Sequence, residues 1–233
     1  MTGDTEPVQV VVTATRREAD AVLRDLGPTR PGPSTRYETH CAAGILLVVS
    51  GIGLAEAAAA TAHVVATRPV SAVFSLGVAG GFDVPLRGVA VGRTILRADT
   101  GIEDATGRIR TTREAIGIGD SGCALGHDRV ARIAARLPGA VLAHVLSVAT
   151  VTGTARRAAQ VLARRPDDGP AVEDMEAWGV LIATRPYDLP CFAVKTISNA
   201  LGPRDRSAWE LDGALDTLST SAAALFREPP DWT

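Results

Sequence analysis

Three carboxylates crowd the stretch AVEDMEAWGV, residues 171–180, where Glu173, Asp174 and Glu176 surround Met175 in an otherwise apolar run. In the first turn of a buried helix, acids complement the positive end of the dipole, and Asp174 has the type and place of a cap. In a site, a carboxylate takes a proton from water or holds the hydroxyls of a ligand. Composition alone leaves both readings open. A fourth acid, Glu18, follows the first apolar run, VQVVVTA (8–14). Lys195 is the single lysine among 24 lysine and arginine residues, near the end of an apolar strand. A compact point charge at such a half-buried position belongs either to a site or to a buried ion pair.

The elements that would position these groups alternate in type. GILLVVS (44–50) precedes the alanine-rich LAEAAAATAHVVAT (54–67), and AVFSL (72–76) ends at GVAGG (77–81). Further on come AVLAHVLSV (140–148), the helical TARRAAQVLARR (154–165), the acidic helix, CFAVKTIS (191–198) and a terminal helix over about 207–226. Strand and helix periods alternating in this way predict a three-layer αβα architecture with a central, largely parallel or mixed sheet. Residues 95–125, rich in glycine and charge, read as a loop or short β excursion, and the prolines at 28, 31 and 33 as a turn. No internal repeat or linker interrupts the chain, so one domain over 1–233 is expected.

Composition excludes several classes. A formal net charge of -2 offers no basic field for nucleic acid or an anionic membrane. Glu56 and His63 interrupt the longest alanine-rich segment, so no run reaches a membrane span of about 18 residues. The start, MTGDTEPVQVVV, is acidic and lacks a basic region followed by an apolar core, which predicts a cytoplasmic protein. Three cysteines and four histidines lie scattered without metal-ligand spacing, so no metal is expected. SGIGLAE (50–56) offers Gly51 and Gly53, but Glu56 stands where a dinucleotide fingerprint needs its third glycine. No glycine is followed by lysine and Ser or Thr, so the P-loop fails too, and no cofactor is expected.

Ligands of such sheets bind at the carboxyl ends of the strands. There the chain places TATRRE with Glu18, SGIG (50–53) with Ile52, GVAGG with Val78, Ala79 and Gly80, ATVTG (149–153) with Thr150 and Val151, and KTISN (195–199) with Ser198 and Asn199. Taken singly, the glycines read as tight strand-to-helix turns.

In this order, Glu18 after the first strand, SGIG, GVAGG, DME opening a helix and KTISN nineteen residues beyond Glu176 resemble the purine nucleoside phosphorylase and nucleosidase superfamily, on its nucleosidase branch, over residues 8–226. Within that branch ISNALGPRDRSAW is similar to the futalosine hydrolases, which remove hypoxanthine from futalosine on an alternative route to menaquinone. The resemblance implies that Glu18 is the general base for the attacking water and that Glu176 holds the ribose 2'- and 3'-hydroxyls, with Met175 against the ribose face. It implies a base pocket from Thr150, Val151, Ala79 and Gly80, with Asp174 and Glu173 capping or orienting the turn. Trp209 matches an aromatic against the 5' substituent, and Arg204 and Arg206 are candidates for a carboxylate there. It also implies a homodimer or higher homo-oligomer whose partner helps close the pocket.

Two positions depart from the adenine-specific nucleosidases, which carry aspartate at Asn199 and arginine at Lys195. An asparagine amide donates to a carbonyl such as O6 and accepts from a protonated N7, so Asn199 suits a 6-oxopurine. Lys195 would steady Glu18 and the water without the fork of arginine. Glu18 directs negative charge to where a phosphorylase holds phosphate, and Val78 replaces a hydroxyl residue there, which favours hydrolysis over phosphorolysis. A methylthioadenosine or adenosylhomocysteine nucleosidase shares the motifs, but Asn199 argues against it. A nucleoside-binding module without chemistry shares the fold, but the pair Glu18 and Glu176 argues against that.

Overall fold

The computed structural model describes residues 6–33, 36–117 and 122–227. The expectations for the first five residues, and for part of the 95–125 segment, fall outside these. The chain runs β1 (Val8–Thr13), α1 (Arg16–Arg24), β2 (Arg30–Pro31), β3 (Glu38–Ala42), β4 (Ile45–Val49), α2 (Leu54–Thr67), β5 (Val70–Phe82) and β6 (Val89–Arg97). Short elements follow: β7 (Ile102–Glu103), β8 (Ile109–Arg110), α3 (Thr112–Ile116) and β9 (Gly122–Ala124). The rest is α4 (His127–Ala135), β10 (Val141–Ser147), α5 (Ala155–Leu162), β11 (Ala171–Asp174), α6 (Ala177–Thr184), β12 (Cys191–Ala200) and α7 (Leu211–Phe226).

One mixed sheet carries the order β11-β10-β6-β12-β5-β1-β4-β3-β2, with β9 added on β6. The period of two along β1 divides the core into two layers. Val11 joins α1, α4 and α7 through Val22, Ile133 and Leu218. Val10 and Val12 join α2 and α6 through Ala60, Val64 and Val180. Phe74 anchors the first layer, with the Phe226 ring edge-on at 5.1 Å and 88°. Helix α5 covers Leu146 and Val148 in a smaller cluster. No helix among the described residues is long and apolar enough to cross a membrane.

The sheet closes on itself at one place, and that place builds the site. The distal half of β5 pairs antiparallel with β11, setting Gly80 opposite Glu173 and Gly81 opposite Val172. Because β11 also pairs parallel with β10, the strands β5, β12, β6, β10 and β11 close into a ring. GVAGG is therefore strand and not a turn, and the acids of AVED are strand and not the first turn of a helix. Ladder bonds on two sides outweigh the local preference. The turn reading holds for Gly51 and Gly53, whose φ values of 91° and 120° suit glycine. β2, β3, β6, α3 and α4 add to the elements expected, and α7 begins at Leu211, four residues later than read.

Candidate active site

The carboxyl ends of β1, β5, β11 and β12 surround a cavity of about 410 Å³. Its walls include Glu18, Ile52, Val78, Ala79, Gly80, Val151, Asp174, Met175, Glu176, Ser198, Asn199 and Trp209, so most of the sequence candidates converge. Thr150 does not line it; its N–H is turned away to Asp99, at 3.1 Å. Lys195 is absent from the wall as well. Arg204 lines the mouth with its guanidinium 5.3 Å from the Trp209 ring centre, whereas Arg206 stays outside.

Glu18 is held by the way α1 starts. Thr15 caps the helix, and a capping box returns the Glu18 carboxylate to it: Oε2 accepts from Thr15 N at 2.9 Å and from Thr15 Oγ1 at 2.8 Å. Oε1 accepts from Val78 N at 3.0 Å. The approach to β5 needs Gly77, because a Cβ there would lie 2.5 Å from Glu18 Oε1. Three donors from two elements thus fix a carboxylate that is 6% exposed, with a lone pair of Oε1 left over.

Glu176 lines the same cavity. Asp174 Oδ2 accepts from Ala177 N at 2.8 Å and so caps α6, which releases the Glu176 side chain from that task. Glu176 accepts from Gly53 N at 3.0 Å and from Met175 N at 3.2 Å. Helix α6 lies against α2 closely enough for this because residue 179 is glycine; a Cβ there would sit 2.2 Å from Leu54 O. Burial pushes the Glu176 carboxyl up to about 7, and the charge of Asp174 adds to the shift, while Lys195 and the Gly53 N–H oppose it.

Lys195 corrects the sequence reading twice. It is fully buried at the middle of β12, not half-buried near a strand end, because the strand runs on to Ala200. Its Nζ meets Asp174 Oδ2 at 2.9 Å and donates to Ser75 Oγ at 3.0 Å, so the buried ion pair is what the structure shows. Burial alone would lower its pKa; Asp174, then Glu176, outweigh that and leave it raised. Lys195 makes no hydrogen bond to Glu18 and acts behind the cavity wall.

Asn199 presents an amide of fixed sense. Its Nδ2 donates to Ala200 O at 3.0 Å, and since a carbonyl only accepts, the nitrogen must lie on that side. Oδ1 accepts from Ser198 Oγ at 2.9 Å. One N–H and one lone pair remain beside Gly80. Glu173, expected to cap or orient the turn with Asp174, instead lines the cavity and accepts from both Thr152 N, at 2.9 Å, and Thr152 Oγ1, with its pKa raised by burial. Thr152 was within sight, in the ATVTG loop.

The match to known proteins agrees with this geometry. A family model described as the phosphorylase superfamily matches residues 9–228. The futalosine hydrolase of Streptomyces coelicolor is 35% identical, covering 96% of this chain and 97% of that protein. That of Acidothermus cellulolyticus is also 35% identical, covering 93% and 89%. Among solved structures, a futalosine hydrolase mutant of Helicobacter pylori superimposes with a TM-score of 0.80 at 15% identity, covering 94% of this chain and 98% of that one. A 5'-methylthioadenosine/S-adenosylhomocysteine nucleosidase of Neisseria meningitidis, in complex with methylthio-immucillin-A, does so at 0.75 and 18%, covering 94% and 96%. These two likenesses speak to the fold, and the family model and the two relatives to descent. With two fixed carboxylates lining one cavity at the carboxyl ends of the strands, the chain belongs to the phosphorylase superfamily, on its nucleosidase branch among the futalosine hydrolase-like members.

Proposed function

We propose that the protein hydrolyses the N-glycosidic bond of futalosine, releasing hypoxanthine as a step towards menaquinone. The observation that carries this is the pair Glu18 and Glu176 facing one cavity in a chain 35% identical to two futalosine hydrolases. Cleavage of such a bond passes through an oxocarbenium-like sugar, so water suffices as nucleophile if a carboxylate takes its proton. Glu18 is that base. Glu176, as the carboxylate, accepts from the ribose diol, and this bond strengthens as positive charge grows on the ring. Met175 and Ile52 flank the sugar. Val151, Ala79 and Gly80 border the base, and Trp209 borders the 5' substituent. Ile52 and Val151, 59% and 38% exposed at the rim, favour a homodimer that covers it.

Free base released from futalosine, inosine and methylthioadenosine, each with and without phosphate, tests the reading. Hypoxanthine from futalosine at a rate indifferent to phosphate is expected. Dependence on phosphate would make the protein a phosphorylase, and adenine from methylthioadenosine would make it the other nucleosidase.

Asn199 should read the 6-position. Asn199→Asp puts a carboxylate oxygen where the amide N–H served O6 and Ala200 O, so relative turnover should move towards adenine nucleosides by about tenfold or more. Equal relative rates in wild type and variant would reject this role.

The aryl carboxylate of futalosine needs a cation at the cavity mouth; of the two arginines that line the cavity, Arg17 is paired with Asp212, which leaves Arg204, stacked on Trp209, as the candidate. Arg204→Ala should raise KM for futalosine by about tenfold, the value of one charge-assisted hydrogen bond, with Arg206→Ala close to wild type. An unchanged KM in the Arg204 variant would rule out the pairing.

A further inference from the structure

The loop that borders the base is pinned from outside the cavity by a residue to which no role has been given. Four consecutive residues, Ala149 to Thr152, follow β10. Asp99, two residues beyond the end of β6, turns its Oδ2 to this loop and accepts from Ala149 N at 2.9 Å and Thr150 N at 3.1 Å. Arg157 of α5 approaches the same oxygen at 3.2 Å. The Asp99 side chain is 5% exposed, and its other oxygen, Oδ1, is buried without a protein donor among the described residues. Thr152 N, at the other end, goes to Glu173. Three of the four N–H groups are therefore committed to buried carboxylates, and Val151, which lines the cavity, has no partner for its backbone N–H or C=O among the described residues.

We infer that Asp99 is a positioning residue for recognition of the purine base: by collecting the N–H groups of Ala149 and Thr150 it aims the uncommitted N–H and C=O of Val151 into the cavity. A peptide N–H and C=O side by side match the alternating acceptors and donors on the edge of a purine. Such a contact is worth most when its geometry is fixed in advance, because ordering the loop then costs nothing at the moment of binding. Asp99 lies outside the cavity wall and touches no ligand atom; its influence runs through the loop. Arg157 supplies the counter-charge that makes a buried carboxylate tolerable there. The inference rests on the proposed nucleosidase reading.

Asp99→Asn keeps the size of the side chain and removes its charge, so that the amide cannot hold both N–H groups and Arg157 together. Binding of free hypoxanthine by calorimetry should weaken by about tenfold. The Kd of the ribose-containing product should stay within about twofold, and KM should rise more than kcat falls. Equal loss of both ligands would mean that the variant has collapsed the cavity as a whole, and unchanged hypoxanthine binding would mean that the loop holds itself; either overturns the inference. If Asp99→Asn is too unstable to assay, Arg157→Gln decides by the same readouts, with weaker hypoxanthine binding expected and unchanged binding overturning. Wild-type protein that neither cleaves futalosine nor binds hypoxanthine would overturn the proposed function and this inference with it. Wild-type protein that does both beside an indifferent variant would overturn the inference alone.

Discussion

Lys195→Met is expected to destabilise the protein by about 3–5 kcal/mol at neutral pH and to move the acid limb of its activity upward. The substitution leaves Asp174 buried, still bonded to Ser147 Oγ and Ala177 N but without the ammonium at 2.9 Å. It also removes the charge that holds down the titration of Glu176, so that this carboxyl, already raised to about 7, rises further. The sign of the pH dependence follows from the direction of that shift. A carboxyl raised on folding binds its proton more tightly in the native state, so its contribution to stability is full below its unfolded pKa, near 4.5, and fades as pH rises through the folded value. In the variant that fading reaches to higher pH, and acidification should narrow the gap to wild type. Urea midpoints from pH 5 to 8 measure the first effect and the pH profile of kcat/KM the second, since kcat/KM reports the free enzyme. A variant as stable as wild type at pH 8, with an unmoved acid limb, would return Lys195 to a filler of space.

The reading of Lys195 shows where sequence stops being legible. That the lysine was exceptional could be seen from its being alone among arginines; that it stood behind the wall and not in it depended on where β12 ends. AVEDMEAWGV is a second case. Its acids were recognised, and Asp174 was assigned a capping role, which the bond to Ala177 N bears out. Their element was misjudged, because β11 exists through partners on β10 and β5 that lie far away in the chain. Helix α2 was legible to the residue, 54–67, since its alanines and the glycines before it are local signals. Asp99 carried no local signal at all: its donors lie 50 and 51 positions on, and only the neighbouring ends of β6 and β10 bring them together.

Glu18→Gln should lower kcat by about two to four orders of magnitude while leaving ligand binding largely intact. The cavity keeps its shape, because glutamine is isosteric and Gly77 leaves the same room for it. What changes is the group proposed to take a proton from water. The amide also fits its surroundings less well. Wild-type Glu18 only accepts, from Thr15 N and Oγ1 on one oxygen and from Val78 N on the other. A glutamine must turn its NH2 towards one of these backbone donors, and either choice loses a bond of the capping box or the tie to β5. A stability loss of about 0.5–2 kcal/mol is therefore expected alongside the loss of rate. The two effects separate in experiment: thermal shift on adding the ribose-containing product reads binding, and single-turnover release of hypoxanthine reads chemistry. If Glu18→Gln kept more than about a tenth of kcat, proton removal would belong to another group, and the general-base assignment would fall. Glu176 would be the first to examine, since a carboxyl raised to about 7 on the cavity wall is poised to exchange protons near neutrality.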